Sequence, residues 1–221
     1  MNGWAHHLII APILVPLLAA AVLLFIDERQ RVAKAMVSLT SVVILVCVSF
    51  VLFRIESGPS DFEGVYLLGN WAAPFGIVLV LDGLSAMMLL LTALVALASL
   101  VYSMARWHTV GAHFHTMFQL LLMGVDGAFL TGDLFNLFVF FEVMLAASYG
   151  LLLHGSGPLR VKAGMHYIAV NLVAAFFFLI GVSLIYGTAG TLNMADLAAR
   201  IPQIEPDRRM LMEAGAGVLG V

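Results

Sequence analysis

Apolar residues run along this chain in long blocks, with polar residues gathered in the gaps between them. A helix needs about 20 mostly apolar residues to cross a bilayer. Six blocks have that length, near 8–26, 32–53, 79–105, 114–131, 133–153 and 162–186. A seventh, MLMEAGAGVLGV, starts near Met210 and is still too short to cross at Val221. The pattern therefore predicts an all-α, polytopic membrane protein with six complete transmembrane helices plus a truncated seventh, read as a fragment of a longer protein or a truncated frame. The first block is not read as a cleaved signal peptide. No basic segment precedes it, and Asp27-Glu28-Arg29 follows it with no small-residue cleavage pattern.

Two gaps carry further pattern. In 54–78, VYLLGNW ahead of FGIVLVLD is spaced for a short β-hairpin on the outer face. In 191–200, TLNMADLAAR places Leu192, Asp196 and Arg200 at i, i+4 and i+8, which predicts a short interfacial helix capped by Thr191 or Asn193 and ended by Pro202.

Composition agrees with the pattern. Charged residues make up 10% of the 221, against about 25% in a soluble domain. Mean hydropathy is +1.06. A net charge of −3 with no basic run excludes an extensive nucleic-acid surface. Cys47 is the only cysteine, so there is no intramolecular disulfide framework and no multi-cysteine metal site. Lys and Arg count six in the 27–34, 106–115 and 154–162 connections and four in the others. By the positive-inside rule that bias places the amino terminus outside.

A charge at the bilayer centre costs at least about 2.5–3.5 kcal/mol, so acids inside the apolar blocks are functional candidates. Glu142 is the strongest. It stands ten residues into the 133–153 block, about 15 Å deep at 1.5 Å per residue. Asp126 stands about 9 Å from the turn at 132 on the preceding block. Either it shares a wet interior with Glu142, or GVDG breaks the helix and binds its carboxylate to backbone. Asp133 and Asp82 open their helices and are read as caps. His166 is a candidate proton relay near Lys162, since histidine titrates close to neutrality, with an ordinary interfacial residue as the bland alternative. His154 and Glu213 are read as interfacial. The histidine spacing (His113 and His115 two apart, His6 and His7 adjacent) supports neither metal nor haem. No phosphate-binding loop, dinucleotide fingerprint or nucleophile elbow is present, which excludes ATP-driven transport within this chain. No cofactor is expected, and no enzymatic reaction.

The stretch FLTGDLFNLFVFFEVMLAASYG at 129–150 goes further. It resembles the D subunit of Mrp-type (also Pha or Mnh) multisubunit monovalent cation/proton antiporters. FQLLLMGVDGA before it and NLVAAFFFLIGVSLIYGTAGTLNMADL after it resemble the same family, which is itself similar to the antiporter-like membrane subunits of respiratory complex I. The resemblance implies about fourteen helices in two inverted repeats. It divides this chain into three leading helices with the outer loop (1–112) and the first part of an antiporter-like repeat (113–221). It matches Glu142 to a buried glutamate that pairs with a lysine on a broken seventh helix, and AGAGVLGV resembles the entry to that helix. It implies a hetero-oligomeric complex in a bacterial inner membrane that exchanges H⁺ for Na⁺ or K⁺, with Glu142 on its proton path; Asp126 and His166 join Glu142 as proton-translocation candidates on their own positions. Two alternatives stand beside it: a proton-pumping subunit of a respiratory NADH dehydrogenase or hydrogenase, and an inactive fragment or assembly scaffold.

Overall fold

A computed structural model describes residues 4–58, 64–71, 76–106, 110–155 and 157–220. Helices α1 (Trp4–Leu8), α2 (Ala11–Phe25) and α3 (Arg31–Glu56) come first. Strands β1 (Val65–Leu67) and β2 (Val78–Val80) pair antiparallel, with Tyr66 opposite Leu79. Then follow α4 (Gly83–Met104), α5 (Phe114–Leu130), α6 (Leu134–Leu152), α7 (Pro158–Ala189), α8 (Met194–Arg200) and α9 (Pro206–Leu219). Residues 59–63 and 72–75 of the 54–78 connection lie outside the described residues.

Among the described residues, four helices rather than six are long and apolar enough to cross a membrane: α3, α4, α6 and α7. The differences from the expected spans have local causes. The 8–26 block is divided because the chain turns at Ile9-Ile10 ahead of Pro12, leaving α2 with fifteen residues. Proline has no N–H to donate to the carbonyl four residues back, so it interrupts a continuing helix but suits the first turn of a new one. The 114–131 block gives a helix of seventeen residues, about 25 Å long, because Thr131 turns extended to meet Leu79 in a β-bridge. The last block gives α9, a fourteen-residue helix starting four residues earlier than Met210, with Pro206 in its first turn. In the other direction, α7 runs for 32 residues, about 48 Å, and exceeds its expected span at both ends.

Helices α2, α3, α4 and α5 pack as one group. Two apolar clusters hold it at different depths. Ile9, Ile13, Leu52, Leu89 and Leu130 meet near the strand pair. Val42, Leu45, Leu100, Phe118 and Leu122 meet toward the opposite end. From there the helices continue in a row, α6 against α5, α7 against α6 and α9 against α7. Large side chains such as Val170, Phe176 and Ile180 on α7 stay exposed, as a surface facing lipid or further protein would.

One end of the bundle is tied by backbone rather than by side chains. The Gly132 N–H donates to Val78 O at 2.9 Å, Met194 N–H to Gly132 O at 2.9 Å, and Leu134 N–H to Leu192 O at 3.0 Å. These bonds join the strand pair, the α5–α6 turn and the start of α8. Two side-chain caps finish the corner. Asp133 accepts from the N–H groups of Phe135 and Asn136, both at 2.9 Å, and Asn193 accepts from those of Ala195 and Asp196, both at 3.1 Å. Arg200 pairs with Asp196 at 2.9 Å, and its guanidinium holds that carboxyl below its ordinary value. Asp82 caps α4 through Ser85 N–H at 2.7 Å, a bond that also lowers its carboxyl's pKa. Replacing a capping aspartate with alanine costs about 1 kcal/mol. Asp133→Ala in the full-length protein is therefore expected to lower the thermal midpoint in detergent by a few degrees, whereas Asp133→Asn, which keeps the acceptor, should recover most of the loss.

Candidate functional site: two carboxyls on opposite sides of a helix pair

Helices α5 and α6 come together over glycines. A Cβ on Gly124 would stand 2.7 Å from the Met144 nitrogen, and one on Gly127 would clash with the edge of the Phe140 ring. The contact line is therefore Gly124 and Gly127 on α5 against Phe140 and Met144 on α6. Each residue turns an α-helix by about 100°. Asp126 and Glu142 both stand well off this line, on sides turned away from the partner helix.

Glu142 is half-buried and lines a cavity of about 320 Å³. Phe138, Phe141 and Leu145 of α6 surround it, with Asn171 and Phe178 of α7 and Leu219 of α9 across from them. Its polar company is sparse. Asn171 donates to Tyr167 O at 3.0 Å and hydrogen-bonds Tyr149, and the Tyr149 and Tyr167 rings meet edge-on at 5.5 Å. The cavity floor exists because α9 crosses α7 closely, with a Cβ on Gly181 standing only 2.8 Å from Gly215 O.

Asp126 is fully buried, at 0% exposure, and neither carboxyl oxygen has a hydrogen-bond partner among the described residues. GVDG is continuous helix, so Asp126 is not at a break. Nor does it line the cavity of Glu142. Of the two arrangements open from the sequence, a shared wet interior and a backbone-bound carboxylate, neither is found among the described residues.

His166 lies on the exposed surface of α7, with Nδ1 donating to Lys162 O at 2.8 Å. It is outside the Glu142 cavity, one residue from Tyr167. His154 is buried against the Phe114 ring at 5.3 Å. Among the described residues no cluster of three metal-ligating side chains occurs.

Sequence reasoning missed two groups of residues. Asn171 and Tyr167 were passed over inside an apolar block, although an amide nine residues into 162–186 is a signal of the same kind as Glu142. Lys34 was counted only for orientation, yet it is 3% exposed and bonded to Glu28. Burial works against ionisation of Glu28, but Lys34 and His113, the latter 3.0 Å away, hold its carboxyl below the ordinary value.

A row of apolar helices is a membrane-protein architecture, and comparison with known proteins says which kind it is similar to. Residues 131–220 match the family described as NADH:quinone oxidoreductase/Mrp antiporter, TM. The chain is 63% identical to the D subunit of a probable K(+)/H(+) antiporter of Rhizobium meliloti, over 100% of this chain and 42% of that one. It is 38% identical to the D subunit of a Na(+)/H(+) antiporter of Alkalihalophilus pseudofirmus, over 90% of this chain and 40% of that one. Among solved structures, the Mrp complex from Dietzia sp. superposes with a TM-score of 0.83 at 32% identity, over 99% of this chain and 40% of the other. An archaeal membrane-bound sulfane sulfur reductase gives 0.84 at 27% identity, over 99% of this chain and 43% of the other. The chain is thus a membrane protein with the antiporter-like fold. More particularly, it is related to the D subunits of Mrp-type antiporters, and it spans about two fifths of the length of the curated relatives it matches.

Proposed function

We propose that this chain forms part of a membrane subunit of a multisubunit monovalent cation/proton antiporter and contributes a proton pathway centred on Glu142. The observation that carries the reading is a glutamate lining a cavity between α6, α7 and α9, in a chain 63% identical to a protein named as an antiporter component. A carboxyl there takes up and releases a proton as its surroundings alternate between wet and closed. Asn171, Tyr149 and Tyr167 offer hydrogen bonds between Glu142 and the stretch of α7 that bears His166. With Nδ1 committed to Lys162 O, Nε2 of His166 is the nitrogen that exchanges protons with the cytoplasmic side. Asp126 belongs to the same proton-carrying function from the other side of the helix pair. Partner subunits in a bacterial inner membrane complete the pathway, with the amino terminus outside.

K⁺ stands ahead of Na⁺ because the 63% identical relative is named for K⁺ and the 38% identical one for Na⁺. The test is the full-length subunit with its partner subunits in everted vesicles from antiporter-deficient cells. Adding K⁺ is expected to dissipate a preformed ΔpH, and adding Na⁺ less so. A ΔpH that responds to neither cation would overturn the antiport reading. The likeness to the sulfur reductase favours one alternative, a proton-pumping subunit energised by redox partners. It predicts iron–sulfur and flavin subunits, rather than small antiporter subunits, copurifying with the full-length protein.

A further inference from the structure

Away from Glu142, the group of helices α2–α5 contains a line of polar side chains in an otherwise apolar interior. On α3, Lys34, Ser38, Ser41 and Ser49 recur at helical spacing and all are buried. On α5, Thr116, Gln119 and Asp126 do the same. The two rows face each other. Ser41 Oγ donates to Gln119 Oε1 at 3.0 Å, while Gln119 Nε2 donates to Ser38 Oγ at 3.0 Å and to Ser38 O at 3.2 Å. One end opens into a pocket of about 150 Å³ lined by Glu28, Arg31, Lys34 and His115. The other end is Asp126.

At that far end the polar groups lack partners. The hydroxyl of Ser49, at 0% exposure, and both oxygens of Asp126 are unbonded among the described residues. Ser49 lies between Leu45 and Leu52 on α3, as Asp126 lies between Leu122 and Leu130 on α5, and those leucines belong in matching order to the two apolar clusters. The two polar residues therefore occupy the same depth. Among the described residues no cation is placed to neutralise Asp126. Helices α2 and α4 contain no charged residue, and the charged residues of α3 (Arg31, Lys34, Arg54 and Glu56) stand at its ends. An isolated carboxylate in an apolar site without hydrogen bonds is costly enough that the group takes a proton instead.

We infer that Asp126 is a proton-binding site, held as the neutral acid between α3 and α5, which exchanges its proton with the Glu28/Lys34/His115 pocket along the polar seam of those helices. The inference stands on the geometry of α3 and α5 and rests on the antiport reading only for its link to cation flux. The exchange is a simple transfer: one proton leaves an Asp126 oxygen for water in the seam, and one returns from the pocket side. Ser38, Ser41, Thr116 and Gln119 provide the donors and acceptors that hold such water. Seven residues separate Gln119 from Asp126, about 10 Å along the helix, and Leu45 and Leu122 close that interval. Those leucines are the barrier, and the polar residues are the approach.

The test is infrared difference spectroscopy of the full-length subunit in its complex in lipid, switched from H₂O to D₂O. A carboxylic-acid C=O band is expected that shifts on deuteration, shifts with carbon-13-labelled aspartate, and is missing in Asp126→Asn. Its deuteration should slow on the order of tenfold in Gln119→Leu and quicken by a similar factor in Leu122→Ala, each about 1.4 kcal/mol in barrier height. If Asp126→Asn fails to assemble, the labelled band and the other two variants still decide the matter. Absence of any aspartic-acid band would overturn the neutral site. A band whose exchange is indifferent to both variants would overturn the route. A ΔpH that responds to neither cation, with the Asp126 band intact, would overturn the antiport reading and leave this inference standing, so the two fail separately.

Discussion

Glu142→Gln, in the full-length protein assembled with its partners, is expected to abolish cation-dependent dissipation of ΔpH. Glutamine has almost the volume of glutamate and fits the same cavity among Phe138, Phe141 and Asn171. It offers a donor and an acceptor but cannot release a proton at any accessible pH. Packing should therefore be unchanged and the complex should reach the membrane in normal amount. Removing a positioned proton-transfer group typically costs at least about a hundredfold in rate, which places the variant at background in everted vesicles. Glu142→Asp keeps the titrating group on a shorter stem and should retain part of the activity. Undiminished antiport in the glutamine variant, at equal abundance of the complex, would remove Glu142 from the proton path. It would leave Asp126 as the acid to pursue.

The chain shows why one of these carboxyls was legible from its letters and the other only half so. Glu142 stands out because an acid deep in an apolar block has few bland explanations, and residues 129–150 carry a resemblance as well. Asp126 is shallower, about 9 Å against about 15 Å, and its direction does not show in the sequence at all. Which way it points depends on Gly124 and Gly127 setting the contact line with α6, and glycines in a sequence do not announce which helix they will meet. The caps at Asp82, Asp133 and Asn193 were readable because a cap is a local matter of one side chain and the next turn. Span lengths were less so. Hydropathy marked the end of α5 to within one residue, at 131 against Leu130, but did not register that the chain turns at Ile9-Ile10 and divides the first block. Nor could it show that Thr131, just past that end, pairs with Leu79, a tertiary bridge between residues 52 positions apart. The seam of Ser38, Ser41 and Gln119 was invisible for the same reason: each is an ordinary residue until two helices are placed side by side.

The separation of the two acids depends on how closely α5 and α6 approach, so the largest structural effect is expected at Gly124. A Cβ there meets the Met144 nitrogen at 2.7 Å, its Cβ at 2.8 Å and its Cα at 2.9 Å. Two of those three atoms are backbone and cannot rotate aside. Gly124→Ala must push the helices apart or tilt them, and overpacking of this kind costs about 1–3 kcal/mol. Gly124→Leu adds three more carbons at the same place and is expected to prevent assembly of the full-length protein. Helix propensity alone argues the opposite, since alanine is favoured over glycine inside a helix by about 0.5–1 kcal/mol. Gly187→Ala on α7 supplies the control, because its Cβ would meet nothing within 4 Å. The expected order of thermal midpoints in detergent is Gly187→Ala at or above the unmodified protein, Gly124→Ala clearly below it, and Gly124→Leu without a folded population. Because the shift opens the α5–α6 contact, Gly124→Ala should also lower antiport and alter the deuteration rate at Asp126, whereas Gly187→Ala should alter neither. Equal midpoints for the two alanine variants would mean that α5 and α6 do not meet at Gly124, and the placement of Asp126 and Glu142 on separate sides of the pair would fall with it.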